Sequence, residues 1–248
     1  MQMLLVLLYH RINAAAYSNR LDMFQSHIKF LAEHYTVVLP GDPLPSGRTA
    51  VCLTFDDAYF DFYHYVFPLL SDLKIRALLS VPVKYIVENT TLDSAARLSV
   101  PHNEAMVNEV YAEKVPFCTW DELSTMVASG FVEVASHSYS HRDLTDQDVD
   151  LMEEIVRSKA VLEQNLPQKI TTFVYPFGKV NRTVHSLVTG HYSYAMRIGS
   201  ALNKDWRNAR RLLYRVNGDD LPDPAQPFKR TRLSGYFLKY VINTIRGR

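Results

Sequence analysis

Short, uninterrupted apolar runs alternate along the chain with stretches in which apolar residues recur at every third or fourth position. Leu4–Tyr9 reads as a first strand. Asp22–His34 places Met23, Phe24, Ile28, Leu31 and Ala32 on one helical face. Ala50–Phe55 is a continuous apolar run, the kind buried on both faces of a parallel sheet. The pattern then predicts a helix over Phe60–Leu73 and a strand over Arg76–Val83. Thr119-Trp120-Asp121-Glu122 sets a hydroxyl at a helix cap and a carboxylate three residues on, a capping box. That helix is expected to stop at Gly130, with a strand over Phe131–Ser136. Thr145 is expected to open a long helix through Val149, Met152, Ile155, Val156 and Leu162, ending near Asn165–Pro167. Thr171–Tyr175, Tyr192–Arg197 and Leu213–Val216 read as later strands.

Strands that alternate with helices imply a parallel sheet and an α/β fold. In a barrel of this kind the chemistry sits at the carboxyl ends of the strands. The residues just past the predicted strands fit that rule: His10, Asp56-Asp57, His137 and Tyr175-Pro176-Phe177-Gly178. The polar stretch at about 84–117 is an insertion in this scheme, either a decorated loop with a short helix or a lid. The expected organisation is a body over residues 1–225 and a basic amphipathic helix over 226–248.

Composition narrows the options. With 248 residues and 47% apolar content, a large core is expected. The net charge of +1 does not favour a polyanion partner, and no nucleic-acid reading element is evident. The charge is unevenly spread: residues 224–248 hold Lys229, Arg230, Arg232, Lys239, Arg246 and Arg248 and no acid. The tail therefore carries +6, and the other 21 basic side chains against 26 acidic ones leave −5. Leu233, Tyr236, Phe237, Tyr240, Val241 and Ile245 recur at helical spacing within that tail. Residues 229–248 thus read as a peripheral membrane contact, or as a last helix packed on the body with a solvated basic face. Cys52 and Cys118 make no disulfide framework. The apolar start lacks a preceding basic residue and is broken by His10-Arg11, so it reads as a buried strand rather than a signal peptide. No apolar run is long enough to span a bilayer. The expected place is the cytoplasm or the cytoplasmic face of a membrane.

Adjacent carboxylates at the mouth of a buried strand repel each other and lose hydration. Asp56-Asp57 therefore calls for a metal ligand beside a general base. His137-Ser138-Tyr139-Ser140-His141 offers two imidazoles four residues apart, without the glutamate of a helix-borne zincin motif. Two imidazoles and one carboxylate make a facial triad suited to zinc or another first-row divalent ion, and to hydrolysis.

Thr54-Phe55-Asp56-Asp57, His137-Ser138-Tyr139-Ser140-His141 and Phe173-Val174-Tyr175-Pro176-Phe177-Gly178 resemble the first three motifs of the polysaccharide deacetylase (NodB-homology, carbohydrate esterase 4-like) family. Tyr9-His10-Arg11 and Tyr214-Arg215-Val216 are similar to members that act on bacterial exopolysaccharide. The resemblance spans roughly residues 3–220. It implies a distorted (β/α) barrel of seven or eight strands and metal-dependent removal of acetyl groups from N-acetylated sugars. It assigns Asp57, His137 and His141 to the ion, Asp56 to the general base, and a backbone N–H near Phe177 to the oxyanion. Tyr139, Tyr175, Pro176 and Phe177 would meet the saccharide.

The chain departs from the family pattern at several points. Ala58 replaces the usual Gly after the aspartate pair, and Val174 replaces the Arg that holds the catalytic aspartate. Arg215 is the candidate substitute. The late Leu-x-His that supplies the general acid has no match, and His10 is the best-placed replacement, with His185 and His191 behind it. A structural, hydrogen-bonded His10 is the alternative. The Asp-x-x-Asp-Trp motif shrinks to Asp205-Trp206. Other hydrolyses on a sugar, such as O-deacetylation or deformylation, share this metal chemistry. A saccharide-binding relative without activity is a third reading.

Overall fold

The computed structural model describes residues 3–208 and 211–245. The chain runs from β1 (Met3–Tyr9) through β2 (Arg11–Ile12) and β3 (Ser18–Asn19) into α1 (Leu21–His34) and β4 (Thr36–Val37). β5 (Thr49–Phe55), a π-helical turn at Phe62–Val66, α2 (Phe67–Leu73) and β6 (Ala77–Val81) follow. The next segment carries α3 (Ser94–Leu98) and α4 (Val110–Glu113) before α5 (Trp120–Ala128) and β7 (Val132–Ser136). A second π-helical stretch, Met152–Arg157, leads into α6 (Ser158–Asn165). Then come β8 (Thr172–Val174), α7 (Arg182–His191), β9 (Tyr194–Ile198), β10 (Leu212–Asn217) and α8 (Arg230–Ile245).

Seven of these strands close a parallel barrel in the order β1-β10-β9-β8-β7-β6-β5 and back to β1. β4 adds an extra strand alongside β5. The closure is uneven. β1 and β5 pair along their whole length, whereas the register between β7 and β8 is limited to Ser136 opposite Phe173. Parallel strands need covered crossovers, so both faces of each strand are buried and the runs read as continuously apolar. Alternate residues point inward: Leu4, Val6, Ala50, Cys52, Leu78, Ala135, Val174, Met196 and Leu213 fill the lumen, with Trp206. The opposite set, including Leu5, Leu7, Val51, Leu53, Leu79 and Phe173, packs in the layer beneath the helices. The apolar start of the chain is thus a fully buried barrel strand. Both cysteines are buried and free. No described helix is long and apolar enough to cross a membrane.

Some predicted boundaries moved for local reasons. The helix expected from Thr145 begins near Leu151. Asp150 caps that start by accepting from the N–H groups of Met152 (2.9 Å) and Glu153 (3.2 Å), while Asp143 holds Thr145 in a turn (3.0 Å). The helix over Phe60–Leu73 contains a π turn, in which the Phe67 N–H reaches Phe62 O, just ahead of Pro68. Proline has no N–H to offer, so the ladder changes register there. The sequence reading missed α7. Its signals were present in the Asn181 cap and in Val184, Leu187 and Val188 at helical spacing.

The segment between β6 and α5 is pinned to the barrel by two buried arginines. The Arg97 guanidinium forks onto Glu122 (2.7 and 2.9 Å), donates to Val115 O and Phe117 O, and lies 3.6 Å over the Phe60 ring. Arg11 reaches Val100 O from the barrel side (2.9 Å). Removing one partner of a buried, forked pair strands the other charge, so Arg97→Ala should cost about 3 kcal/mol in urea unfolding. Arg20→Ala, which breaks the exposed Arg20–Asp22 pair, should leave the urea midpoint essentially unchanged in the same assay.

Candidate active site

Every member of the site hangs from the carboxyl end of a strand. The Asp56 N–H continues the β5–β1 ladder by donating to Tyr9 O (2.8 Å). The backbone then turns left-handed at Asp57 (φ 69°) and Ala58 (φ 52°). That turn sends the two carboxylates apart. Ala58 carries about 1 kcal/mol of strain there, which a glycine would not. Left-handed residues recur around the same rim at Ser138, His141 and Phe177.

Asp56 turns into the lumen. Arg215 crosses from β10 and grips it with two bonds, Nη1 to Oδ1 (2.7 Å) and Nη2 to Oδ2 (2.8 Å). Ser80 donates to Oδ1 (2.7 Å), and Arg215 also reaches Thr54 Oγ1 (3.2 Å). Burial alone would raise the Asp56 pKa. The Arg215 charge, the nearby His137 and the bonds from Arg215 outweigh it and hold the carboxyl well below its usual range.

Asp57 turns the other way. Its Oδ1 is buried without a hydrogen-bond partner and lies 3.3 Å from His141 Nε2 and 3.6 Å from His137 Nε2. His137 Nδ1 bonds Val174 O (2.8 Å), which fixes the proton on Nδ1 and turns the Nε2 lone pair toward Asp57. Burial lowers both histidines to about 4, so both rings are neutral near pH 7. An unpartnered carboxylate oxygen facing neutral imidazole is unfavourable unless a cation lies between them. The three donor atoms lie within 4.8 Å of one another and fit one divalent ion. The loop that carries the histidines is fixed from below. Glu154 accepts from the N–H groups of Tyr139 (3.0 Å) and Ser140 (2.9 Å) and from the Ser140 hydroxyl, and Ser138 Oγ accepts from the His141 N–H (3.0 Å).

His10 stands on the far side of Asp56, with Nε2 4.0 Å from Oδ2. Its Nδ1 bonds Asp219 (2.6 Å). Burial by itself would lower His10, but the bond to Asp219 and the charges of Asp56, Asp57 and Asp219 raise it to about 9. Gly218 makes this possible. Its N–H bonds Leu8 O (2.7 Å), and a Cβ there would lie 2.4 Å from the Tyr9 ring.

The polysaccharide deacetylase family model matches residues 44–192, more than half of the chain, including the strand ends that carry Asp56, Asp57, His137 and His141. The chain belongs to the polysaccharide deacetylase family. A stretch of 100 residues is 35% identical to the poly-beta-1,6-N-acetyl-D-glucosamine N-deacetylase of Escherichia coli strain K12, covering 40% of this chain and 13% of that protein. The chain therefore matches only a small part of that relative's length. A polysaccharide deacetylase from Bacillus cereus superposes over 91% of this chain and 67% of its own (TM-score 0.72, 21% identity). The Streptococcus pyogenes deacetylase PplD, solved in complex with acetate, superposes over 95% of this chain and 98% of its own (TM-score 0.70, 19% identity). These likenesses match the seven-stranded barrel with its extra strand.

Not every residue singled out in the sequence reaches the site. Tyr175 is a correction: its ring is fully buried against Phe173 and its hydroxyl meets His185 Nδ1 (2.8 Å), so no sugar can stack on it. Pro176 is buried too, and within Tyr175–Gly178 only Phe177 is exposed (58%), edge-on to His141 at 4.8 Å. Tyr139 is half-buried with Arg157 over its ring (4.7 Å). His185 is held by Tyr175 on α7, and His191 ends α7 at the amino end of the barrel, so neither accompanies Asp56. Trp206 packs on Tyr194 and donates to Asp42 O (2.8 Å) at that same end, beside a cavity of about 670 Å³ that gathers no acid–base pair among the described residues. Sequence reading missed Asp219, Ser80 and Glu154, which no local motif marks. It also missed Tyr17, 55% exposed and ring to ring with His10 (5.7 Å) and His102 (4.8 Å).

The grip on Asp56 has a measurable signature. Arg215→Met should move the Asp56 carboxyl titration of metal-free protein upward, past the ordinary value of about 4, as read by carbon-13 NMR. In the wild type the depressed pKa adds stability above about pH 4 that is lost as pH falls through the folded value. In the variant the sign and the window reverse: acidification from the raised folded value down to about pH 4 stabilises, and nothing further changes below it.

Proposed function

We propose that the protein is a metal-dependent hydrolase that removes acetyl groups from N-acetylated sugars of a polysaccharide or its precursor. The observation that carries this reading is the division of the aspartate pair: Asp56 is locked ionised by Arg215, while Asp57 offers an unpartnered oxygen to His137 and His141. The name of the Escherichia coli relative supports the substrate class, and the acetate held by the Streptococcus pyogenes deacetylase supports the leaving acid. A retired binding fold would have little reason to rebuild the grip on Asp56 from another strand.

Asp57, His137 and His141 would hold the ion, and two imidazoles with one carboxylate favour zinc. When bound, a divalent cation supplies Lewis acidity, polarising the acyl carbonyl and acidifying water enough for a weakly basic carboxylate to act. Asp56 takes the proton of the attacking water. His10, protonated through its bond to Asp219, delivers a proton to the departing amine nitrogen. The backbone N–H of Phe177, set by its left-handed φ of 56°, is the candidate donor to the oxyanion. The exposed rings of Phe177 and Tyr17 stand by His141 and His10 respectively, on two sides of the reacting centre, as surfaces for neighbouring sugars.

After chelation and reloading, Asp57→Ala and His141→Ala should lose bound metal by mass spectrometry of the metal content. Asp56→Asn should keep the metal and lose about a thousandfold in acetate release from N-acetylglucosamine oligomers. Metal retained in the first pair, or turnover retained in Asp56→Asn, would remove the assignment. Tyr17→Ala and Phe177→Ala should raise KM more than they lower kcat.

His10 sets the alkaline limit. Its raised pKa keeps it protonated until pH passes about 9, so kcat/KM should fall above that point. Asp219→Ala removes the bond and the charge that raise it, and should shift the alkaline limb downward. The stability from this pair is full below about pH 6.5 and is lost through about 9, so thermal melts across that window should weaken in the wild type and change less in the variant.

A further inference from the structure

We propose that α8 docks the protein on an anionic lipid surface. Tyr236 and Tyr240 pack against the body, and no residue of the helix is fully buried. The other side of the helix is apolar and open to solvent: Phe237 is 40% exposed, Leu238 60%, Ile242 36% and Ile245 80%. At about 100° per residue these four fall on one face together with Val241. Isolated apolar side chains are ordinary on a protein surface, but a contiguous face of them marks a binding surface.

Charge selects the occupant. No acid lies between Pro224 and Ile245, and Lys229, Arg230, Arg232 and Lys239 accompany the apolar face. Lys229 pairs with Asp223 (2.5 Å), whereas Arg230, Arg232 and Lys239 have no carboxylate within ion-pair distance among the described residues. A second copy of this chain would bring like charges together across a shared α8 face. A negatively charged lipid surface meets both the cations and the apolar arc, since long basic side chains reach headgroups while Leu and Ile enter the acyl boundary.

The test uses the full chain and vesicles of phosphatidylcholine with or without phosphatidylglycerol. Co-sedimentation is expected with the anionic vesicles, weakening as salt rises. The triple substitution Leu238→Ser, Ile242→Ser and Ile245→Ser should lower the partition coefficient at least about tenfold. Because those side chains are exposed, its thermal melt and circular dichroism should match the wild type, which separates lost docking from lost folding. Failure to bind anionic vesicles, or binding unchanged by the substitutions, overturns the proposal. A stable dimer in sedimentation velocity that the substitutions dissolve also overturns it, assigning the face to a second copy.

Discussion

The forked bond between Arg215 and Asp56 is the constraint around which the upper barrel is arranged. A carboxylate buried this deeply would take up a proton unless a cation and donors surrounded it. Arg215 and Ser80 supply them from β10 and β6, and Thr54 on β5 steadies Arg215 by accepting from its Nη1. They form the polar top layer of a lumen that is otherwise filled by Val, Leu, Ala and Met. Val174 lies buried in that lumen, so β8 offers Asp56 no cation. The cation comes from β10, which a closed barrel permits because all its strands converge on one axis.

Once Asp56 is fixed, its neighbour has little freedom. The left-handed turn at Asp57 and Ala58 separates the carboxylates, and the strain recurs at Ser138, His141 and Phe177 on the facing loops. Such conformations persist only where the surroundings hold them. Glu154 and Ser138 provide that hold for the histidine loop, and the Val174 carbonyl orients His137. The rigid body beneath thus places one ionised carboxylate, one unpartnered carboxylate oxygen and two neutral imidazoles within a few ångströms, with a protonated His10 opposite.

Much of this was legible in the chain. The continuous apolar runs gave the barrel strands, because a strand buried on both faces leaves no polar alternation. The capping box at Thr119 and Glu122 marked a helix start that the structure keeps. Asp56 and Asp57 stood out because adjacent acids at a buried strand end are costly, and His137 and His141 because they accompany that pair; the structure brings Asp57, His137 and His141 within 4.8 Å of one another. Arg215 and His10 were singled out as residues at strand ends, and both lie against Asp56. The long helix start failed because Asp143 and Asp150 bind nearby backbone in competition with the helix, an effect that periodicity does not register.

Local sequence determined which residues were apolar enough to make strands and which polar groups were left at their ends. Only the tertiary structure decided who meets whom. Asp219 is 209 residues from His10, and Arg215 is 159 from Asp56. No spacing rule links residues so far apart, and closure of the barrel sets those distances. Burial was likewise decided by packing: Tyr175 and Phe177 are near neighbours in one motif, yet one ring fills the core and the other lies open beside His141. A left-handed residue at Phe177 reverses the chain between core and rim, and a side chain's direction there follows from the backbone, not from its chemistry.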